Sequence, residues 1–224
     1  MIVALIPGYN EAPRIGRVVR AAGEFLPVIV VDDGSSDETA MAARTAGATV
    51  IVQHPNQGKG VALRTGFRRA LDDGAEAILT LDADGQHDPA EIPDLLAAWS
   101  TDLRPDLVIG RRNFAEMPAV RRVSNVLGGR AFSWAVGRPI PDNQSGYRLV
   151  SRRLAEATLA SVEAGFAFEV EQITTCIRLG GLIAWVPIRT IYAGAPSHIR
   201  PLDHLREFSR IVRRARRDVR TPLP

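Results

Sequence analysis

Two carboxylates, two residues apart, close an apolar run in Leu79-Thr80-Leu81-Asp82-Ala83-Asp84-Gly85-Gln86-His87-Asp88. In an extended chain, side chains at i and i+2 project to the same side, so Asp82 and Asp84 can converge on one hard cation. Gln86 continues the spacing and offers a neutral oxygen. Mg²⁺ or Mn²⁺ suits such a set, because both prefer oxygen ligands and keep positions open for water or substrate phosphate. The same residues also read as ordinary local structure, with Asp84-Gly85 as a turn and Asp88-Pro89 as a helix start. What else reaches that place decides between the two.

The elements around the pair come from periodicity. Through the first half, short apolar runs alternate with segments of helical period, the pattern of βα units on a mostly parallel sheet. Strands are expected near residues 2–6, 28–32, 48–52, 77–82 and 106–110, and helices near 12–23, 37–46, 60–73 and 89–98. Ser36-Asp37-Glu38-Thr39 offers a cap for the second helix, and Gly47 closes it. The second half is less regular, with helices expected near 119–136 and 167–179 and a short strand at 183–188.

Ligands of open α/β sheets bind beyond the carboxyl ends of the strands. Here strand one runs into Pro7-Gly8-Tyr9-Asn10-Glu11 and strand two into Asp32-Asp33-Gly34-Ser35-Ser36-Asp37. Strand four runs into Asp82-Ala83-Asp84 and strand five into Gly110-Arg111-Arg112. Four polar strand ends on one rim favour a ligand site over four separate turns.

Composition sets the bounds. A chain of 224 residues, 46% hydrophobic and 24% charged, suits one larger α/β domain with a good core. Cys176, the only cysteine, sits in Ile173-Thr174-Thr175-Cys176-Ile177, so it forms no intrachain disulfide and reads as a buried thiol. The chain opens directly on the apolar Ile2-Val3-Ala4-Leu5-Ile6 without the flanks of a signal peptide. No run approaches the ~18 to 20 apolar residues of a membrane span. These features predict a cytoplasmic protein, or one resting on the cytoplasmic face of a membrane. The net charge of +3 hides a local excess in Arg206, Arg210, Arg213, Arg214, Arg216, Arg217 and Arg220. Such an excess suggests an anionic partner: lipid, phosphate or nucleic acid.

Other clusters stay open on local grounds. Asp32 and Asp33 could hydrogen-bond a ribose or base edge, or cap the helix that follows. Asn56-Gln57-Gly58-Lys59-Gly60 exposes amides at a helix start, yet no Gly-x-x-x-x-Gly-Lys-Ser/Thr can be laid on it. No Gly-x-Gly-x-x-Gly follows strand one either. NTPase and dinucleotide oxidoreductase readings therefore lose their main support.

Taken in order, the motifs carry a resemblance. Pro7-x-Tyr9-Asn10-Glu11, Val31-Asp32-Asp33-Gly34-Ser35-x-Asp37, Asn56-x-Gly58-Lys59-Gly60, Asp82-Ala83-Asp84-Gly85-Gln86-His87, Gly110-x-Arg112 and Asp142-x-x-Ser145-Gly146-Tyr147-Arg148 follow one another. Over about residues 1 to 200 the chain resembles a family 2 glycosyltransferase of GT-A fold, near the dolichyl- or polyprenyl-phosphate mannosyltransferase branch. The resemblance implies a GT-A catalytic domain over 1–200, a mostly parallel sheet flanked by helices, and a tail over 201–224. It implies that Pro7, Tyr9 and Glu11 line the nucleotide pocket and that Asp33 holds base or ribose. Asp82, Asp84 and Gln86 would bind Mg²⁺ or Mn²⁺ bridging the diphosphate of a UDP- or GDP-sugar, with Ala83 in the same contact stretch. The ion would neutralise charge on the departing nucleoside diphosphate.

The resemblance also sets Asp142, Ser145 and Arg148 near sugar and acceptor, Asp142 and Arg148 as the catalytic candidates. Asp142 is a candidate general base if the acceptor is a hydroxyl; a lipid phosphate needs none, and Asp142 would then orient sugar or arginines. Locally Pro141-Asp142-Asn143 is also turn-prone. Arg112, Arg122 and Arg130 stand where the branch binds the acceptor phosphate, which arginine's planar fork suits. In Tyr192–Pro201 the branch tends to show an Arg and then Ser-Lys, where this chain has Tyr192 and Ser197-His198. His198 and Arg200 could still close on the diphosphate from a loop. Inversion at the sugar carbon is implied by the resemblance alone.

The tail has a helical apolar stripe of Leu202, Leu205, Phe208, Ile211, Val212, Ala215 and Val219 among its arginines: a basic amphipathic helix. It predicts either docking on a membrane surface or packing on the catalytic domain. Two rival functions stand beside the transferase. A sugar nucleotidyltransferase lacks its Gly-rich, basic opening loop here, and a non-catalytic anion-binding module would use the tail alone. No RNA-binding aromatic sheet or helix-turn-helix signature supports a nucleic-acid partner.

Overall fold

Every residue of Val28–Asp33 is buried, as a strand inside an α/β sheet with helices on both faces must be. It is β2 of a seven-stranded sheet in a computed structural model that describes residues 1–116, 119–165, 167–189, 191 and 201–220. The first half runs β1 (Ile2–Gly8), α1 (Ala12–Gly23), β2, α2 (Thr39–Thr45), β3 (Thr49–Gln53), α3 (Lys59–Asp72), β4 (Ala77–Thr80), a 3-10 turn (Pro89–Glu91), α4 (Ile92–Trp99) and β5 (Leu107–Arg112). A second 3-10 turn (Phe114–Glu116), α5 (Ala119–Val136), β6 (Arg148–Ser151), α6 (Arg152–Thr158), α7 (Ala167–Arg178), β7 (Ile183–Ile188) and α8 (Pro201–Asp218) follow.

The strand order is β3-β2-β1-β4-β6-β5-β7, and only β6 runs antiparallel to its neighbours, β4 and β5. The carboxyl ends of β1, β2, β4 and β5 therefore share one rim, as the polar strand ends predicted. Alternate residues feed two cores: Val3, Leu5, Val31 and Ile78 face α3 and α7, while Ala4, Ile6, Val30 and Leu79 face α1 and α4. Gly66 lets α3 lie close on β1, since a Cβ there would stand 2.2 Å from Leu5 Cδ1. Cys176 is buried, its thiol pushed up to about 12, first by burial and then by Asp106.

The structure differs from expectation at a few ends. β4 stops at Thr80, two residues early, because Leu81 N–H still reaches Leu5 O while the Asp82 N–H turns to His87. β6 and α6 had no counterpart in the reading of the second half. In the tail, Ile211, Ala215 and Val219 pack on the core shared with α5 and α7. Leu202, Leu205 and Phe208 lie outside the described side chains. No helix among the described residues is long and apolar enough to cross a membrane.

Candidate active site

Beyond β4 the chain leaves the sheet but keeps a two-residue alternation. Leu81, Ala83, Gly85 and His87 are buried, whereas Asp82, Asp84, Gln86 and Asp88 are half-buried on the opposite side. The His87 ring anchors this loop from beneath: its Nδ1 accepts the Asp82 N–H at 3.1 Å and it stacks on Tyr147, centroids 5.0 Å apart. Tyr147 Oη in turn donates to the Asp88 carbonyl at 3.0 Å. Burial holds the imidazole below its ordinary pKa, keeping it a neutral acceptor. Gln86 donates its N–H (2.9 Å) and Nε2 (2.6 Å) to the two oxygens of Asp84, so its amide braces that carboxylate here.

The donor chemistry fits a hard divalent ion. Asp84 is pushed up, first by burial and then by the charge of Asp82, and a cation between the two would relieve both effects. Among the described residues no group of three or more His, Cys, Asp or Glu is arranged to hold a metal. The protein thus offers two carboxylates, and a shell completed by water and substrate phosphate is the usual arrangement for Mg²⁺.

Asp82 does not stand alone. Lys59 Nζ, at the first turn of α3, lies 2.5 Å from Asp82 Oδ1 and 3.0 Å from Glu169 Oε1 on α7. Burial alone would raise the Asp82 pKa, but Lys59 and then His87 hold it down at about 2. The ammonium is held charged in spite of its burial by the two carboxylates. Gly146 closes over this trio: a Cβ there would lie 2.8 Å from Glu169 Oε1, 2.9 Å from Lys59 Nζ and 3.0 Å from Asp82 Oδ1. Neither Lys59 nor Glu169 was singled out for the site by sequence, and the one signal was the Gly58-Lys59-Gly60 helix start.

A second ion pair sits at the end of β5. Arg112 grips Asp142 with Nε on Oδ2 at 2.7 Å and Nη2 on Oδ1 at 2.9 Å. Asp142 is 1% exposed and also accepts the N–H groups of Gln144 and Ser145, at 3.1 and 3.2 Å. Burial would raise its pKa; the Arg112 hydrogen bonds outweigh this and hold it low. So placed, Asp142 is paired with an arginine. Arg148, expected among the catalytic groups, is wholly buried. Its guanidinium donates to the carbonyls of Ser145 (2.6 Å), Asn143 (3.2 Å) and Glu169, because a buried cation needs every donor answered. It supports the 143–148 loop from below. In that loop the Ser145 hydroxyl and Asn143 Nδ2 are buried without a partner among the described residues. Each such orphan costs about 1–3 kcal/mol, a strain typical of functional loops.

The remaining expected residues divide by depth. Pro7 is the penultimate residue of β1, two before half-exposed Tyr9, and Glu11 pairs with Arg14 at 2.6 Å, within the electrostatic reach of Asp84. Ala83 is buried against Gly8. Asp33, expected to hold base or ribose, is buried, and its carboxylate accepts the N–H groups of Gln57 (2.8 Å) and Gly58 (2.7 Å), bracing the turn into α3. Gly34 beside it has φ +75, and a Cβ would meet Asn56 N at 2.7 Å, so only glycine passes there. Arg122 and Arg130 are exposed on α5. His198 and Arg200 lie outside the described residues.

A mostly parallel sheet with a carboxylate pair at one strand end and an arginine–carboxylate clamp at another defines a class. The fold is GT-A, the class of nucleotide-diphospho-sugar transferases. Glucosyl-3-phosphoglycerate synthase from Mycobacterium tuberculosis, solved with Mn²⁺, UDP-glucose and phosphoglyceric acid, superposes with a TM-score of 0.74 at 24% identity, covering 100% of this chain and 81% of that one. The chain belongs to Glycosyl transferase family 2, whose profile matches residues 3–159. Glycosyltransferase AglJ of Haloferax volcanii is 35% identical over 96% of this chain and 72% of its own. The undecaprenyl-phosphate mannosyltransferase of Micrococcus luteus is 33% identical over 84% of this chain and 82% of its own. The protein is thus a glycosyltransferase with relatives in the polyprenyl-phosphate branch, and the nucleotidyltransferase and anion-module readings lapse.

Proposed function

We propose that the protein transfers a sugar from a UDP- or GDP-sugar to a polyprenyl or other lipid phosphate, with inversion and with the help of Mg²⁺ or Mn²⁺. The observation that carries this is the pairing of two unlike centres on one rim: a carboxylate-rich one at Asp82 and Asp84, and an arginine clamp at Arg112 and Asp142. Asp82 and Asp84 would hold the ion, which when bound neutralises charge on the departing diphosphate. Lys59 ties up Asp82 Oδ1, while Oδ2 stands 3.8 Å from His87 Nδ1. Pro7, Tyr9 and Glu11 line the approach of the nucleotide.

Asp142 makes the acceptor argument. A hydroxyl acceptor needs a base, and a carboxylate held by bidentate arginine and two backbone amides is a poor one. A phosphate oxygen is already anionic. It attacks the anomeric carbon as the bond from that carbon to the diphosphate oxygen breaks, and the nucleoside diphosphate leaves with the electron pair. Arg112, fixed by Asp142, would orient the incoming phosphate.

The experiment is a transfer assay with labelled UDP- and GDP-sugars, polyprenyl phosphate, and either Mn²⁺ or EDTA. The reading expects a lipid-linked labelled product with one donor, at a rate abolished by EDTA. Product formed equally in EDTA, or donor consumed only with hydroxyl acceptors, would overturn it.

A further inference from the structure

Helix α5 carries no acid: no Asp or Glu stands between Glu116 and Asp142. Its outer face instead presents Leu127, 60% exposed, and Trp134, 63% exposed, with exposed Arg130 between them. Spacings of three and four set these residues on one side of the helix. Helix α8 lies along α5 and divides its own surface. Ile211 and Ala215 face the core, and Arg214 reaches inward to Glu163 and Glu171. On the other side Arg210, Arg213, Arg217 and Arg220 are exposed in a row. Arg216 joins the two helices, its guanidinium 3.8 Å from the centre of the Trp134 ring.

We propose that this α5–α8 face docks on an anionic bilayer surface. A basic helix face is ordinarily no more than solvated, but here large apolar side chains share it. Within the row Arg210 meets Glu163 (3.4 Å) and Arg217 meets Asp218 (3.2 Å), and the arginines of the row still outnumber these two acids. An amphipathic ring at headgroup depth beside guanidinium groups is the combination a negatively charged interface takes up. α5 also begins soon after Arg112, and the chain returns to Asp142 soon after its end. Docking there would hold the arginine clamp beside the lipid that carries the acceptor phosphate. The inference rests on the lipid-phosphate reading and names the surface through which that acceptor arrives.

Trp134 is the exposed one of three tryptophans, with Trp99 buried and Trp185 half-buried, so emission reports on this face. The test mixes the intact chain with phosphatidylcholine vesicles, with or without phosphatidylglycerol. Co-sedimentation and a blue-shifted emission are expected with the anionic vesicles only, the blue shift vanishing in Trp134→Phe. Arg213→Glu/Arg217→Glu should weaken partitioning at least tenfold while the thermal midpoint stays put. No partitioning by the wild type, equal partitioning by the double variant, or displacement from vesicles by a short DNA duplex would each overturn the proposal. Stabilisation by Mn²⁺ with nucleoside diphosphate is measured apart from vesicles, so failure of the transfer reading shows there and failure of the surface shows here.

Discussion

The two ion-pair centres on the rim are built from the same materials and end with opposite characters. At the end of β4, one lysine is shared by Asp82 and Glu169 while Asp84 stands beside them, so carboxylates outnumber the cation and a further positive charge is welcome. At the end of β5, Asp142 is buried against Arg112 and backbone amides, so its charge is answered in full and the arginine is fixed in place. Acid chemistry is therefore not read from the count of carboxylates. It depends on how many donors each carboxylate already accepts.

Asp84→Ala removes the second carboxylate of the pair, and should lower kcat/KM by on the order of 10³-fold, the several kcal/mol that a bound ion contributes. Metal titration of the activity checks it, because no excess of Mn²⁺ should restore the rate. Next comes Asp142→Ala, which strands a half-buried guanidinium. Breaking a buried pair costs about 3–5 kcal/mol, and the partial exposure of Arg112, 19%, places this one near the low end. Chemical denaturation measures that loss, and the KM for acceptor should rise while donor affinity holds. If donor affinity falls instead, the two centres are not separate.

Lys59→Met removes a positive charge 2.5 Å from Asp82 and frees its Oδ1, so metal affinity should rise several-fold. It also has a pH signature. With its pKa held near 2, Asp82 stabilises the fold fully above the unfolded carboxylate value, and this is lost as pH falls toward 2. Without the lysine the folded pKa rises, so acid unfolding monitored by circular dichroism should move to higher pH. Gly146→Ala should act on the same trio by displacing the ammonium. The smallest effect belongs to an exposed pair far from both centres: Asp73→Asn, which breaks the contact to Arg69, should change stability by less than about 1 kcal/mol.

The contrast also explains what could be read without coordinates. The βα units were legible because apolar period and strand-end polarity are local: β2, β3, α1 and α5 fall within a residue or so of expectation. The i, i+2 spacing of Asp82 and Asp84 was legible for the same reason, and the alternating burial of 81–88 bears it out. β6 was missed because four residues give too little period, and its antiparallel place between β4 and β5 is a tertiary matter. Glu169 was hidden in an amphipathic helix, where one acid in the first turn reads as a helix-dipole partner. The depth of Asp33, Asp142 and Arg148 depends on donors from distant segments, which no local pattern carries.

The central claim is that Asp82 and Asp84 complete a cation site only together with a nucleoside diphosphate. Thermal unfolding of the wild type and Asp84→Ala with UDP or GDP, each with and without Mn²⁺, tests it most directly. The account predicts that one nucleotide raises the wild-type midpoint only when Mn²⁺ is present, and that Asp84→Ala, folded, shows no rise. An equal rise without the metal, or an undiminished rise in the variant, would contradict it.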